Sequence, residues 1–308
     1  MIVSSIIIIN YNTSKLTLQA IQSIEEKVVD FEKHEVIIVD NASNKEDFSA
    51  LKIGLKNDFK ISIQLIRSRI NVGFGAGNML GVQKAVGAYY VFMNSDVILI
   101  EDSVNIMIEF LKKSSNVAIV GCQAIDENGK KFKCFDYGLS LTTELFSHSF
   151  LHLLNPKKYP SRMLTSKEPT NVGAVPGSLF CCVAKDFDAV GGFDTNLFLY
   201  YEEKDLAFRI AKNLKKDIYS LPYSQYIHLK GKSTGTSQVI RNEMKIAQFY
   251  VIQKNLNSFS YLLFYFFQFI VFLIKSPFSK KNRAYLILLV KGISVAKSIK
   301  HAQKIIQI

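Results

Sequence analysis

The sequence predicts an α/β protein with a mostly parallel sheet, and three observations carry that prediction. Through roughly the first 115 residues, short β-branched or aromatic runs alternate with helical patterns, the rhythm of parallel strands joined by right-handed helical crossovers. The runs are apolar at nearly every position rather than every second one, as in strands buried on both faces. Three acidic stations, Val39-Asp40-Asn41, Asn94-Ser95-Asp96 and Glu202-Glu203-Lys204-Asp205, each follow an apolar or aromatic run. Polar residues just after buried strands lie at the carboxyl edge of a sheet, where open α/β sheets bind ligands.

The elements follow in order. The opening residues have no basic side chain before Lys15 and no small-residue cleavage site, so they read as a first strand over 6–9 rather than a signal peptide. A helix over 16–26, a strand over 36–39, a helix over 47–55, a strand over 61–66, a helix over 77–86 and a strand over 89–93 complete the alternation. A strand over 117–121 precedes the turn Asp126-Glu127-Asn128-Gly129. Residues 135–170 have poor periodicity and carry Pro156, Pro160 and Pro169, which predicts a mobile loop region able to act as a substrate lid. Pattern returns with a strand over 178–183, a helix over 185–190 and the turn Gly191-Gly192-Phe193-Asp194. A helix then starts at Glu202 or Glu203, where the helix dipole favours carboxylates, and short strands cover 218–221 and 226–228.

The last part of the chain differs in kind. Residues 256–274 are apolar nearly all round, at the lower end of the length that spans a bilayer. From Asn255 onward there is no Asp or Glu, while Lys275, Lys280, Lys281, Arg283, Lys291, Lys297, Lys300 and Lys304 hold two thirds of the net charge of +12. Aromatic residues with a basic face suit a helical hairpin lying in the interface of an anionic membrane; a bilayer span, or a core helix pairing two chains into a homo-oligomer, stays open. The chain thus divides into a domain over 1–240 and a membrane-associating helical region over 241–308. A nucleic-acid partner is excluded, because the lysines accompany apolar helices rather than a polar groove. Four cysteines without a CxxC pair or a His/Cys cluster read as reduced thiols in the cytosol.

Two motifs bear on chemistry. Gly73-Phe74-Gly75-Ala76-Gly77 resembles a dinucleotide loop only weakly, since that fingerprint follows the first strand. Asp96 is a metal ligand of the kind that holds Mg²⁺ or Mn²⁺ through one carboxylate, waters and the oxygens of a diphosphate. His228 is a candidate further ligand, with Lys230 or Lys232 near the diphosphate.

Taken together, Ile6 to Asn12, Val39 to Ser43, Asn71 to Phe74 with Gly77-Asn78, Asn94-Ser95-Asp96, and Gly191 through Leu206 with Arg209 resemble glycosyltransferase family 2, in particular its rhamnosyltransferase-like members. The resemblance covers about residues 3–235. It implies a GT-A fold, a Rossmann-like mixed sheet flanked by helices, and inverting sugar transfer from a nucleoside diphosphate sugar. Asn10, Asn12 and Asp40 would surround the nucleoside, with Asp40 accepting from the base. Asn71, Asn78, Ser95 and Lys232 would lie along the rest of the nucleotide sugar, and Asp96 would end the metal motif. Glu203, or else Glu202, would be the general base. The expected acceptor is a glycan, lipid-linked, in bacterial surface polysaccharide synthesis at the cytoplasmic face of the cell membrane. The alternative is a nucleotide-sugar-binding scaffold without catalysis. Val175-Pro176-Gly177-Ser178 lacks the Trp frequent before the acceptor-side pair of the family, so the resemblance does not name the acceptor.

Overall fold

The computed structural model describes residues 1–56, 59–163, 168–229 and 237–306. The first half runs β1 (Ser4–Asn10), α1 (Ser14–Lys27), β2 (His34–Asn41), α2 (Lys45–Gly54), β3 (Ser62–Ser68), α3 (Phe74–Val82) and β4 (Tyr89–Asn94). It continues with β5 (Val97–Leu99), α4 (Ser103–Lys113), β6 (Val117–Ile125), α5 (Leu141–Leu145), α6 (His148–Leu154) and β7 (Thr170–Asn171). Then come β8 (Leu179–Val183), α7 (Ala184–Ala189), α8 (Glu202–Asn213), β9 (Asp217–His228), α9 (Gln238–Asn255), α10 (Ser258–Lys275) and α11 (Lys280–Val290).

Among the described residues the strands form one mixed sheet ordered β3-β2-β1-β4-β8-β6-β9-β5, with β7 beside β9. Strands β1 to β4 are parallel, as the alternation predicts, and β8 runs antiparallel to both β4 and β6. The register brings Asn10 beside Asp40 and Ile9 beside Asn94. Two acidic stations therefore share one edge of the sheet. Apolar side chains of β1, β2 and β4 pack on both faces, Ile6 and Ile8 on one and Ile7 and Phe92 on the other, which is why these strands read as uninterrupted apolar runs.

The structure corrects the reading in two places. The two short strands expected near 218–228 are one strand, β9, whose pairing with β6 jumps from Leu221 to Gln225. Pro222 begins the residues that bulge out, and a residue without an N–H cannot continue the ladder. Within residues 135–170, read as a loop region, the structure has α5 and α6, each with a serine accepting a backbone N–H at its start, Ser140 from Thr143 and Ser147 from Phe150. Helices this short leave little periodicity to detect.

The C-terminal helices pack around Phe249, Phe264, Phe272, Tyr285 and Leu289, joined by Leu139 and Leu197 of the preceding domain. Polar contacts reinforce the junction: Gln248 donates to Glu144, and Lys254 and Asn255 donate to Asp205. Helix α10 buries only Phe264, Gln268 and Phe272. Phe259, Leu262, Leu263, Phe266, Ile270, Leu273 and Ile274 stay exposed, a continuous stripe at helical spacing. By length and composition alone α10 is long and apolar enough to cross a membrane.

Candidate active site

A cavity of about 850 Å³ opens over the carboxyl edge of the parallel strands. One wall is lined by Thr13, Asn41 and Asn71 and backed by short polar residues at or just after the ends of β1 and β2. Asn10 is fully buried, and its amide donates to Asp40 (2.9 Å), Ser43 (3.0 Å) and Asp47 (2.9 Å) while Thr13 and Thr17 donate to its carbonyl oxygen. Asn12, in the left-handed region at φ 56, accepts from the Asn44 N–H. The buried Asp40 keeps one oxygen on Asn10. The other makes no hydrogen bond among the described residues and faces Arg67 Nε at 3.5 Å, with the guanidinium stacked on Phe48.

Asn71 lines the cavity and accepts from Asn41 (3.0 Å) and from the Gly73 N–H (2.9 Å). Gly73 is at φ 88, and a Cβ there would lie 2.2 Å from the Phe198 carbonyl oxygen. This close approach lets Phe74 donate to the same oxygen at 2.8 Å, so the start of α3 is clamped to the segment leading into α8.

Asp96 is buried beneath the cavity floor, and Ser95 and His228 line the cavity above it. His228 Nε2 lies 3.3 Å from Asp96 Oδ1, and the Leu229 N–H donates to the Asp96 carbonyl. The curl of β9 after its bulge brings His228 to this point, opposite Val97. Among the described residues no cluster of three His, Cys, Asp or Glu side chains forms a closed metal cage. A carboxylate and an imidazole this close nevertheless fit neighbouring positions of a Mg²⁺ or Mn²⁺ ion whose other ligands are waters and phosphate oxygens.

Glu202 and Glu203 open α8 and both line the cavity. Two successive non-glycine residues before them, Tyr200 at φ 78 and Tyr201 at φ 72, are left-handed. Strain of this kind persists only where surrounding contacts enforce it, and here the Tyr201 hydroxyl donates to Glu144 at 2.8 Å. Glu203 packs against Gly177, where a Cβ would come within 3.2 Å of its carboxylate. Burial raises the Glu203 pKa above the ordinary carboxylate range, opposed by backbone N–H groups of Glu203 itself and Gly177. Glu202 is raised further, by burial first and then by the charge of Glu203, and its Oε1 has no hydrogen-bond partner among the described residues. Two adjacent carboxyls in one dry site resist ionising together.

Behind this pair lies a charge network that sequence reasoning missed. Lys204 reaches Glu144 (2.9 Å) and Asp136 (3.3 Å), and Asp136 also meets His148 (2.8 Å) and Arg162 (3.2 Å). Burial alone would raise the Asp136 carboxyl, but His148, Lys204 and Arg162 hold it well below its usual range. Asp205, in the first turn of α8, is fully buried and bound by Arg209, Lys254 and Asn255.

The structure thus gathers Asn71, Ser95, His228, Glu202 and Glu203 around one cavity, with Asp96 and Asp40 directly behind its surface. Asn10 lies in the second layer. Asn78 is also behind the wall, its amide donating back to the Phe74 carbonyl within α3. Lys232 lies outside the described residues. Asn41 was visible in the first station as the neighbour of Asp40, whereas Glu144, Asp136 and Lys130 to Lys133 left no local signal.

The family model for glycosyl transferase family 2 matches residues 5–168. An uncharacterized glycosyltransferase of Rickettsia bellii is 30% identical over 135 residues, 44% of this chain and 19% of the relative. The rhamnosyltransferase WbbL of Escherichia coli is 28% identical over 148 residues, 45% of this chain and 54% of the relative. The chain therefore spans about a fifth and about half of these two relatives. Among solved structures, the mannosyltransferase PcManGT of Pyrobaculum calidifontis, in complex with GDP-Man and Mn²⁺, superposes with a TM-score of 0.57 at 14% identity, covering 97% of this chain and 85% of that one. TarS of S. aureus gives a TM-score of 0.54 at 15% identity, covering 83% and 67%. These neighbours share the GT-A architecture of the sheet. With more than half of its length matched by the family model, the chain belongs to glycosyltransferase family 2.

Proposed function

We propose that the protein is an inverting, metal-dependent transferase that moves a sugar from a nucleoside diphosphate sugar to a lipid-linked glycan at the cytoplasmic membrane face, in bacterial surface polysaccharide synthesis. The observation that carries this reading is the joining in one cavity of the Asp96–His228 pair and the buried carboxylate of Glu203. The similarity to the Escherichia coli rhamnosyltransferase favours rhamnose as the sugar transferred.

The unbonded oxygen of Asp40 receives an N–H of the base. Asn41 and Asn71, locked by each other, border the ribose and first phosphate. Mg²⁺ or Mn²⁺, when bound by Asp96 and His228, supplies positive charge that offsets the leaving diphosphate. Glu203 takes the proton of the acceptor hydroxyl as the acceptor oxygen bonds to the anomeric carbon and the bond to the diphosphate oxygen breaks on the opposite face. Its raised pKa makes it a stronger base than a solvated glutamate. Glu202, protonated beside it, adds no second negative charge near the reacting centre.

The exposed stripe of α10 supports the membrane part of the reading. It continues onto Phe146, whose ring lies 6.4 Å from that of Phe267, and then to Phe150. A contiguous apolar face of this kind bordered by lysines suits an anionic bilayer surface. Replacing Phe259, Leu262, Phe266, Ile270 and Leu273 with glutamine should move the protein from membranes to the soluble fraction. Retention on membranes would sink that part. For the reaction, a panel of nucleoside diphosphate sugars is tested with and without Mn²⁺ or Mg²⁺. Metal-dependent binding and turnover of one donor are expected; tight binding without turnover on any acceptor would favour the scaffold, and no binding would overturn the transferase reading.

A further inference from the structure

Two segments that line the cavity meet at one hydrogen bond. Asn71 and Phe74 belong to the first, Phe198, Tyr200 and Glu202 to the second, and the Phe74 N–H donates to the Phe198 carbonyl at 2.8 Å where they touch. Residues 294–306, beyond α11, bridge the outer ends of both. Lys300 Nζ donates to the Thr195 carbonyl, and the Ile306 N–H donates to the Arg69 carbonyl at 2.8 Å. The contacts close a ring that runs from Arg69 through Phe74 and Phe198 to Thr195 and back along 294–306. Among the described residues none of 294–306 lines the cavity. This segment therefore bears on the site only through the walls it joins.

Its anchor is deep. Glu243 of α9 is 2% exposed, and its two carboxylate oxygens accept from the Ser298 hydroxyl (2.6 Å) and the Ile299 N–H (2.9 Å). Ser298, itself buried, also accepts the Lys300 N–H and so starts the 3₁₀ turn Ile299–Ala302 that carries Lys300 to Thr195. A buried carboxylate left without hydrogen bonds is strongly destabilising. Release of 294–306 would strand Glu243, which favours the docked segment over a loose one. Glu243 also stands close to the site: after burial and the charge of Glu203, its own charge helps to raise the Glu202 carboxyl. The anchor thus lies behind the carboxylate pair, while the segment it holds reaches the wall that carries Asn71.

We infer that residues 294–306 are a strap that sets the wall at Asn71 against the lead-in to α8, and that Glu243 is the positioning residue that holds it through Ser298. The inference rests on the transferase reading and adds an element outside the cavity on which the spacing of donor and base depends. Nucleotide bound between the two walls stabilises the arrangement in which they are joined, and by linkage the joined arrangement binds nucleotide more tightly. Strap docking and nucleotide binding strengthen each other by the same factor.

The test follows amide hydrogen exchange of Ile299 and Ile306 in the full chain with Mn²⁺, with and without saturating UDP, GDP or dTDP, whichever binds best. Nucleotide should slow both amides by about ten-fold, within the usual range of coupling between sites. In Ser298→Ala the Phe74 amide, on the far side of the ring, should exchange faster by about ten-fold, the effect of losing a hydrogen bond to a charged group, while amides of β1 keep their rates. Ser298→Thr should restore the wild-type pattern. Glu243→Ala, which removes both contacts, should weaken nucleotide binding by about the factor seen in exchange, again with β1 unchanged. Strap amides indifferent to bound nucleotide would overturn the inference, as would wild-type nucleotide affinity in Glu243→Ala or a wild-type Phe74 rate in Ser298→Ala. Failure of the wild type to bind any of the three nucleotides would instead count against the transferase reading, and the Phe74 amide in Ser298→Ala beside Ser298→Thr still decides whether the strap joins the walls.

Discussion

On the proposed donor side of the cleft, short side chains at or just after the ends of β1, β2 and β3 hold one another: Asn10 holds Asp40, Ser43 and Asp47, and Asn41 holds Asn71. On the proposed acceptor side, long polar and charged side chains meet from distant segments, Glu144 with Lys204 and with Gln248 of α9. The first wall is a set of neutral or singly charged groups that hold one another and leave one oxygen of Asp40 without a hydrogen bond among the described residues. The second balances buried charges around Glu203. The proposed donor pocket and the proposed base are thus assembled by different means, and substitutions on the two sides should fail differently.

The largest effect is expected at the junction of the two sides. Asp96→Ala should lower turnover by about 1,000-fold or more, the several kcal/mol a metal supplies to a leaving phosphate, and should remove the Mn²⁺ dependence of donor binding measured by calorimetry. On the proposed acceptor side, Glu144→Ala leaves the Tyr201 hydroxyl without its acceptor and Lys204 with Asp136 alone. A stability loss of about 3 kcal/mol is expected for a broken buried pair, read from the urea midpoint, together with a fall in turnover as Tyr201 loosens its hold on the start of α8. An equal loss in donor affinity would erase the contrast between the walls.

Asn10→Ala on the donor side leaves several buried partners without a hydrogen bond, and the expected loss is about 2 kcal/mol of stability. Donor affinity should weaken with it because Asp40 is no longer held, while the pH dependence of turnover stays in place. The smallest effect is a displaced pH limb. Glu203 works only when ionised, and burial raises its pKa above the ordinary 4.5, so turnover should fall with acidification at a pH above the usual carboxylate range. The same groups, Glu202 and Glu203, bind protons more tightly folded than unfolded; their protonation favours the fold at low pH, and that contribution is lost as pH rises through the raised values. A limb in the unperturbed glutamate range would place the base in water.

How much of this was legible follows from distance along the chain. The parallel half of the sheet and the stations at Asp40 and Asp96 were readable because apolar runs and the polar residue that follows each are contiguous. Glu202 and Glu203 were readable for the same reason, although their left-handed lead-in at Tyr200 and Tyr201 was not, since nothing in two tyrosines signals positive φ. The burial of Asp205 depends on Lys254 and Asn255, some fifty residues on, and a carboxylate at a helix start looks the same whether solvent or a second helix covers it. The Asp136 and Glu144 network emerges only when α5 and α6 fold against α8 and α9.

The measurement that tests the account most directly is donor binding and single-turnover transfer by Glu203→Gln beside Glu202→Gln, with the donor and metal that the wild type uses. The account predicts that Glu203→Gln binds donor as the wild type does but loses transfer by about 100-fold to 10,000-fold, the range of general-base catalysis, while Glu202→Gln, neutral like the protonated acid it replaces, retains most of it. Wild-type transfer by Glu203→Gln, or the larger loss falling on Glu202→Gln, would contradict it.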